Sequence, residues 1–386
     1  MGERPAILQI IPRLDAGGAE RTTVDIARAI VRAGYRALVV SDGGRLEHEL
    51  IGVGARVIEM PVASKNPLTM WLNSWRLARL IREERIALVH ARSRGPAWSA
   101  YYAARAARIP FVTTYHGIYK ARNIFKRSYN AIMARGDRVI ANSQWTARHI
   151  TSTHRVPAGR MVIIPRGIDL AAFDMERLTA IRVVAMRARW AVSNDARVVL
   201  LPGRLTRWKG QLILIAAVAA LLKAGRWPSD ARVVLAGDAQ GRSDYLAEIA
   251  AARKAAGVEG IVVVSDHMED MPAAYAAADI IVSPSTEPEA FGRVPVEAAA
   301  MGRPIIATSH GGVEETVLPD ESGLLIPPRN VRALSEALAT MLAASKAHLD
   351  EMGAKGRKHI ETVYTVERMC DATLAVYAEL LRGRKN

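Results

Sequence analysis

IIVSPSTEPEAFGRVPVEAAAMGRPIIATSHGGVEETVL, residues 280–318, decides the fold. It reads as a strand (Ile280–Ser283), a loop, a helix (Val294–Met301), a second strand (Pro304–Thr308) and a glycine turn. Glu289 lies in the loop and Glu297 one turn into the helix, with seven residues between them. Pro295 suits a first helical turn, where its missing N–H would be unpaired anyway. A loop ending at a helix start offers free N–H groups and a positive dipole end, the makings of a phosphate site. A carboxylate on that first turn can accept bonds from two neighbouring hydroxyls, as on a ribose. The same spacing also fits two ordinary helix-start carboxylates.

The chain has 386 residues, which suggests two domains. Its longest apolar runs, such as LILIAAVAALL (212–222), fall short of the ~18 residues a membrane span needs. The N-terminus enters a strand (AILQIIP) almost at once, with no secretory leader visible. Cys370 is the single cysteine, so neither an intrachain disulfide nor a cysteine metal cluster is expected. These features favour the cytoplasm. The net charge of +15 is uneven: residues 1–190 hold 31 Lys/Arg against 14 Asp/Glu, and the rest 22 against 24. The first half is therefore expected to meet something anionic: lipid headgroups, a phosphorylated acceptor or nucleic acid. Aromatic residues are few and no nucleic-acid motif is apparent, which disfavours the last.

Short Val/Ile-rich runs alternate with amphipathic stretches from Ala6 to Pro165, and again from Val198 onward. That alternation predicts an α/β chain with two doubly wound parallel sheets. Residues 168–195 lose the rhythm and are expected to connect the domains, with a helix over 175–190. The expected division is 1–180, 181–365, and a last helix from 366. Ligands of such sheets bind beyond the carboxyl ends of the strands.

Gly17 and Gly18 sit between the first strand and its helix, where a backbone can approach a phosphate. The three-glycine dinucleotide fingerprint is absent, and a plain turn is the alternative. In GRLTRWKG (203–210), Arg204 and Lys209 follow a strand and could neutralise a diphosphate, or be solvated charges. His116 ends the fifth strand in TTYHG and could touch a sugar hydroxyl or act as a weak base; a buried, satisfied histidine competes. Arg92 and Arg94 follow the fourth strand. KARNIFKRSYNAIMAR (120–135) sets Lys120, Arg122, Lys126, Arg127 and Arg135 against Ile124, Phe125, Tyr129, Ile132 and Met133. That pattern suits a basic amphipathic helix on an anionic membrane, or a core-packed helix with a solvated face. No metal-ligand spacing and no Ser/His/Asp arrangement is apparent.

Together these stretches resemble the retaining nucleotide-sugar glycosyltransferases of family 4, which have the GT-B fold of two Rossmann-like domains facing across a cleft. EAFGRVPVE (289–297) fits the family's Glu-x7-Glu motif, GRLTRWKG its Arg/Lys clamp, and GGAE (17–20) its glycine loop. VIANSQWTARHI (139–150) and VIIPRGID (162–169) also look like family signatures. The resemblance implies that Glu289 contacts the donor sugar and Glu297 the ribose. It implies that Phe291, Gly292 and Arg293 offer backbone donors, that Arg204 and Lys209 hold the diphosphate, and that His116 lies near the reacting sugar. It further implies no divalent metal and no cofactor, and a last helix returning to the first domain. Arg166 departs from the pattern, which more often has asparagine there. The expected reaction moves a sugar from a nucleoside diphosphate to an acceptor hydroxyl, on lipopolysaccharide core or another glycolipid at the inner membrane face. A sugar-nucleotide 2-epimerase of the same fold and a non-catalytic basic membrane-binding protein are the alternatives.

Overall fold

The computed structural model describes residues 4–15, 17–119, 123–266 and 268–383. The chain divides into two compact units, one of residues 1–167 with 366–386, the other Ile168–Thr365. The first unit contains β1 (Ala6–Ile10), α1 (Gly18–Arg32), β2 (Arg36–Ser41), α2 (Glu47–Gly52), β3 (Arg56–Glu59), α3 (Pro67–Glu83), β4 (Ile86–Ala91) and α4 (Arg94–Ala106). It continues with β5 (Phe111–Tyr115), α5 (Ile124–Asn130), β6 (Arg138–Ala141), α6 (Gln144–His154) and β7 (Met161–Ile163). All strands pair in parallel, in the order β3-β2-β1-β4-β5-β6-β7. β1 and β5 are buried at every position, as strands covered on both faces must be. One face of the sheet packs on α3, α4 and α6 through Leu77, Ile81, Ala97, Ala100 and Ile150.

The second unit contains α7 (Ala180–Arg189), β8 (Arg197–Pro202), α8 (Gln211–Lys223), β9 (Ala231–Ala236), α9 (Ser243–Ala255), β10 (Val262–Ser265), α10 (Met271–Ala276) and β11 (Ile280–Ser283). It ends with α11 (Arg293–Ala300), β12 (Ile305–Thr308), α12 (Val313–Thr316), β13 (Gly323–Ile326), α13 (Val331–Ala343) and α14 (Lys346–Val363). The strand order is β10-β9-β8-β11-β12-β13, again parallel throughout. The strand order reverses between β8 and β11, and a crevice opens at that point in such sheets. Local chemistry starts several helices: Asn66 accepts from the Leu68 amide at 2.9 Å ahead of Pro67, and Asp270 accepts from Ala273 at 3.1 Å. Caps of this kind are worth about 1 kcal/mol each.

α15 (Val366–Arg382) belongs to the first unit. Met369, Cys370, Val376 and Tyr377 join Ile7, Val24, Ile30 and Val39 in the core on the sheet's other face. Residues 168–180 go with the second unit rather than the first, since Leu170, Phe173 and Leu178 pack on its buried clusters. The helix expected over 175–190 forms only as α7. The stretch 120–135 is not one amphipathic helix: α5 gives way to a 3-10 turn at Ala131–Arg135, and Ile132 and Met133 lie in the core. Lys120 and Arg122 lie outside the described residues. Among the described residues no helix is long and apolar enough to cross a membrane.

Charge follows the division into units. The first holds 31 Lys/Arg and 14 Asp/Glu, and the second 22 and 24.

Candidate active site

In the second unit the loops after β8 and β11 interlock beyond the strand ends. Gly210 has φ +81°, and a Cβ there would meet the Pro284 carbonyl oxygen at 2.1 Å. The Thr286 amide donates to the Trp208 carbonyl at 2.8 Å. This contact carries Lys209 to Glu289: Nζ lies 2.7 Å from Oε1, with both side chains about nine-tenths buried. The Ser285 hydroxyl donates to the same oxygen at 2.6 Å. Lys209 also lies over the Trp208 ring, 4.5 Å from its centroid. Burial alone would push the Glu289 carboxyl up; Lys209, Ser285 and Arg204 outweigh it and hold the group below its usual range. The site thus contains a buried carboxylate kept ionised by a buried ammonium. Arg204 is exposed and adds the weakest of these influences on Glu289.

The loop after β12 braces this arrangement. Gly311 has φ +88° and sits so close to Glu289 that a Cβ would meet its carbonyl oxygen at 2.2 Å, and the Gly312 amide donates to that oxygen at 2.7 Å. Gly292, with φ +84°, caps α11. Glu297 is 5 % exposed in the first turns of α11. Its Oε2 accepts from the Tyr275 hydroxyl at 2.8 Å, and its Oε1 pairs with Arg293. Burial and the neighbouring Glu297 carboxylate keep Tyr275 protonated, so it acts as the donor. The Phe291 side chain is core, packed against Tyr364 with Val296 and Ile360.

Of the residues singled out from the sequence, Lys209 and Glu289 meet directly, Arg204 acts on Glu289 electrostatically, and Glu297 pairs separately with Tyr275 and Arg293. Their partners Ser285, Trp208 and Tyr275 were not singled out from the sequence. Ser285 lies four residues before Glu289 in the same loop and was readable. Tyr275 sits in the alanine-rich run MPAAYAAAD and carries no signal.

In the first unit, Gly17 caps α1 and Gly18 opens it. Arg92 is 2 % exposed, so it does not present itself to a membrane. Arg94 donates to Asn130 at 2.7 Å and lies 4.2 Å from the Tyr119 ring centroid, so it too is engaged within the unit. Lys126 and Arg127 are exposed on α5. Both ring nitrogens of His116 are buried without a hydrogen-bond partner among the described residues. Burial, then Arg166, Arg92 and His90, drives its pKa well below the usual value, so the ring is neutral. Among the described residues no group of three or more His, Cys, Asp or Glu is placed to hold a metal ion.

The family model described as Glycosyltransferase Family 4 matches residues 16–172, and that described as Glycosyl transferases group 1 matches 196–344. A D-inositol 3-phosphate glycosyltransferase of Xylanimonas cellulosilytica is 26 % identical over 96 % of this chain and 93 % of its own. The solved glycosyltransferase of Rickettsia africae ESF-5 superposes with a TM-score of 0.89 at 30 % identity, covering 98 % of this chain and 99 % of that one. Anabaena HepE in complex with UDP-glucose superposes with a TM-score of 0.82 at 24 % identity, covering 97 % and 99 %, a likeness of fold.

Proposed function

Because the chain belongs to the family 4 glycosyltransferases with the GT-B fold, we propose that its second unit binds a nucleoside-diphosphate sugar and transfers the sugar to an acceptor hydroxyl. The observation that carries this reading is the buried Lys209–Glu289–Ser285 cluster at the reversal between β8 and β11. The bond between the anomeric carbon and the diphosphate oxygen breaks. The acceptor oxygen bonds the same carbon, on the face the diphosphate leaves, and its proton passes to that diphosphate. Negative charge grows on the leaving group. Arg204, Lys209 and the start of α11 meet that charge in place, without a divalent ion. Groups already oriented for the developing charge lower the barrier because nothing has to reorganise. Glu289 contacts the donor sugar and Glu297 takes the ribose hydroxyls, with Tyr275 fixing its orientation. His116, as a neutral donor, serves a sugar hydroxyl.

The acceptor in this reading is anionic and meets the first unit. The relatives' name, D-inositol 3-phosphate glycosyltransferase, supports a phosphorylated polyol. A membrane-borne acceptor, such as lipopolysaccharide core or another glycolipid, is favoured by a different observation. Leu68, Trp71, Leu72 and Trp75 recur on one face of α3 and point outward, 39–64 % exposed. Ile124 and Phe125 on α5 are 76 % and 82 % exposed. Residues 60–136 carry fourteen Lys/Arg but only Glu83 and Glu84 as acids. Exposed tryptophans amid cations suit the interface of an anionic bilayer. On this reading the protein works peripherally on the inner face of the cytoplasmic membrane.

The test is a melting-point screen with UDP-, GDP- and ADP-sugars, followed by transfer of labelled sugar to inositol 3-phosphate and to glycolipid acceptors. One donor should raise the melting point and yield a labelled product and free nucleoside diphosphate. Release of no nucleoside diphosphate from any donor refutes the reading. Acceptor-independent conversion of the donor would make the protein an epimerase. Vesicle binding untouched by Glu289→Gln, with no turnover in the wild type, would make it a non-catalytic membrane binder.

A further inference from the structure

Trp208 stands one residue before Lys209 in the turn Arg207–Lys209, between β8 and α8. Its ring is half-buried and faces the Lys209 ammonium, which lies 4.5 Å from the centroid. Two bonds to its carbonyl hold the backbone beneath the ring: the Thr286 amide donates at 2.8 Å and the Thr286 hydroxyl at 3.3 Å. Thr286 follows Ser285, so the loop that anchors the ring is the loop that carries Glu289. Gly203 borders the lysine stem, since a Cβ there would lie 3.7 Å from Cε and 3.9 Å from Cδ. The side chain of Lys209 thus has three fixed neighbours: the indole face, the Gly203 backbone and Glu289 Oε1 at 2.7 Å. That oxygen is shared with the Ser285 hydroxyl.

An ammonium carries three N–H donors and no acceptor. Here one goes to Glu289. The reading above places a diphosphate on Lys209 and a sugar hydroxyl on Glu289. Loading therefore requires Lys209 to change its anionic partner without changing its place. Glu289 cannot supply that constancy, because it turns from the lysine to the sugar. Nor can a flexible four-carbon stem. The face of an indole can: it attracts a cation through its quadrupole, offers no lone pair that a phosphate must displace, and acts most strongly where water is excluded.

We propose that Trp208 is a positioning residue, whose ring holds the Lys209 ammonium in place while the lysine passes from Glu289 to the diphosphate of the donor. The inference rests on the glycosyltransferase reading for the identity of that diphosphate. Trp208 acts in it through Lys209 alone.

Two readouts test this on the full chain. The first is the affinity for UDP against UMP, and for GDP and ADP against their monophosphates, by calorimetry. The ratio of diphosphate to monophosphate affinity reports how well Lys209 is placed, and it needs no turnover. Lys209→Met combined with Glu289→Gln removes the ammonium without stranding a charge and sets the floor of that ratio. In Trp208→Leu, which keeps apolar bulk and loses the aromatic face, the ratio should fall about tenfold towards the floor; in Trp208→Phe it should stay within about threefold of wild type. Both variants should melt near the wild type, because the ring is half exposed. The second readout is turnover. A free nucleoside diphosphate carries the charge that the leaving group acquires, and the intact donor carries less. In Trp208→Leu, kcat/KM for the donor should therefore fall about tenfold, chiefly through kcat.

If ratio and kcat/KM in Trp208→Leu match the wild type, the ring is only packing, and the proposal falls while the donor reading stands. Equal losses in Trp208→Phe and Trp208→Leu also overturn it, because shape rather than the aromatic face is then the cause. If a diphosphate binds above its monophosphate but no donor turns over, the transfer reading fails and the ratio still decides the role of Trp208. If no nucleotide binds, both fall.

Discussion

Lys209→Met isolates the electrostatics of the candidate site. The substitution keeps the length of the stem and removes the ammonium 2.7 Å from Glu289. Glu289 is then a buried carboxylate with the Ser285 hydroxyl and a distant Arg204 for support. Removing one partner of a buried pair costs about 3–5 kcal/mol. The remaining serine places this case at the lower end, about 3 kcal/mol, or a melting point lower by ~6–12 °C for a unit of this size. The pH dependence fixes the cause. In the wild type the Glu289 pKa is depressed, so its contribution to stability is present above the unfolded value and lost as pH falls through the folded one. In the variant burial outweighs the remaining support from Ser285 and Arg204, the folded pKa lies above the unfolded one, and the penalty is full at neutral pH and fades on acidification. The gap between wild type and variant should therefore be widest near neutral pH, narrow on acidification, and go on narrowing below the unfolded carboxyl value as the wild type loses its own contribution. Adding Glu289→Gln should restore much of the loss, because no buried charge is left alone. Thermal melts of the four proteins at several pH values measure all of this. A pH-independent loss, or a double variant that merely sums the singles, would refute the reasoning.

Tyr275→Phe removes the hydroxyl that donates to Glu297 at 2.8 Å. It should cost ~1.5–3 kcal/mol and weaken nucleotide binding about tenfold, read by calorimetry; an unchanged affinity would detach Glu297 from the ribose. Gly210→Ala should destabilise by more than about 2 kcal/mol, since the new Cβ meets the Pro284 carbonyl. Gly225→Ala, at φ +66° with nothing within 4 Å, should cost about 1 kcal/mol and serves as the control in the same melts. Trp71→Ala with Trp75→Ala should lower affinity for anionic vesicles at least tenfold while leaving the melting point nearly unchanged, as both rings are more than half exposed. A wild type that ignores such vesicles in sedimentation would dismiss the membrane reading.

Strand positions were legible because a parallel strand buried on both faces must be a short Val/Ile-rich run. Ile280–Ser283 has the bounds the sequence suggested. The loop motifs were legible because glycine at positive φ, as at Gly210 and Gly311, is demanded by local backbone geometry. What depends on packing between distant segments was not. α2 is six residues long with one buried side chain, Leu50, too little for a periodic signal. Ile132 and Met133 look like a lipid-facing stripe until the sheet is seen to need them. The burial of Arg92 and Asn142 follows from strand register, which no single stretch encodes.

α15 adds a constraint on biosynthesis. It leaves the ribosome after the whole second unit, yet Tyr377 packs beside strands made much earlier, its hydroxyl 2.6 Å from His90 Nδ1. Translation thus emits the front module lacking a wall, and the wall arrives only after the entire rear module has been synthesised. Nascent chains stalled before Val366 should therefore hold a protease-sensitive front module behind an already resistant rear one.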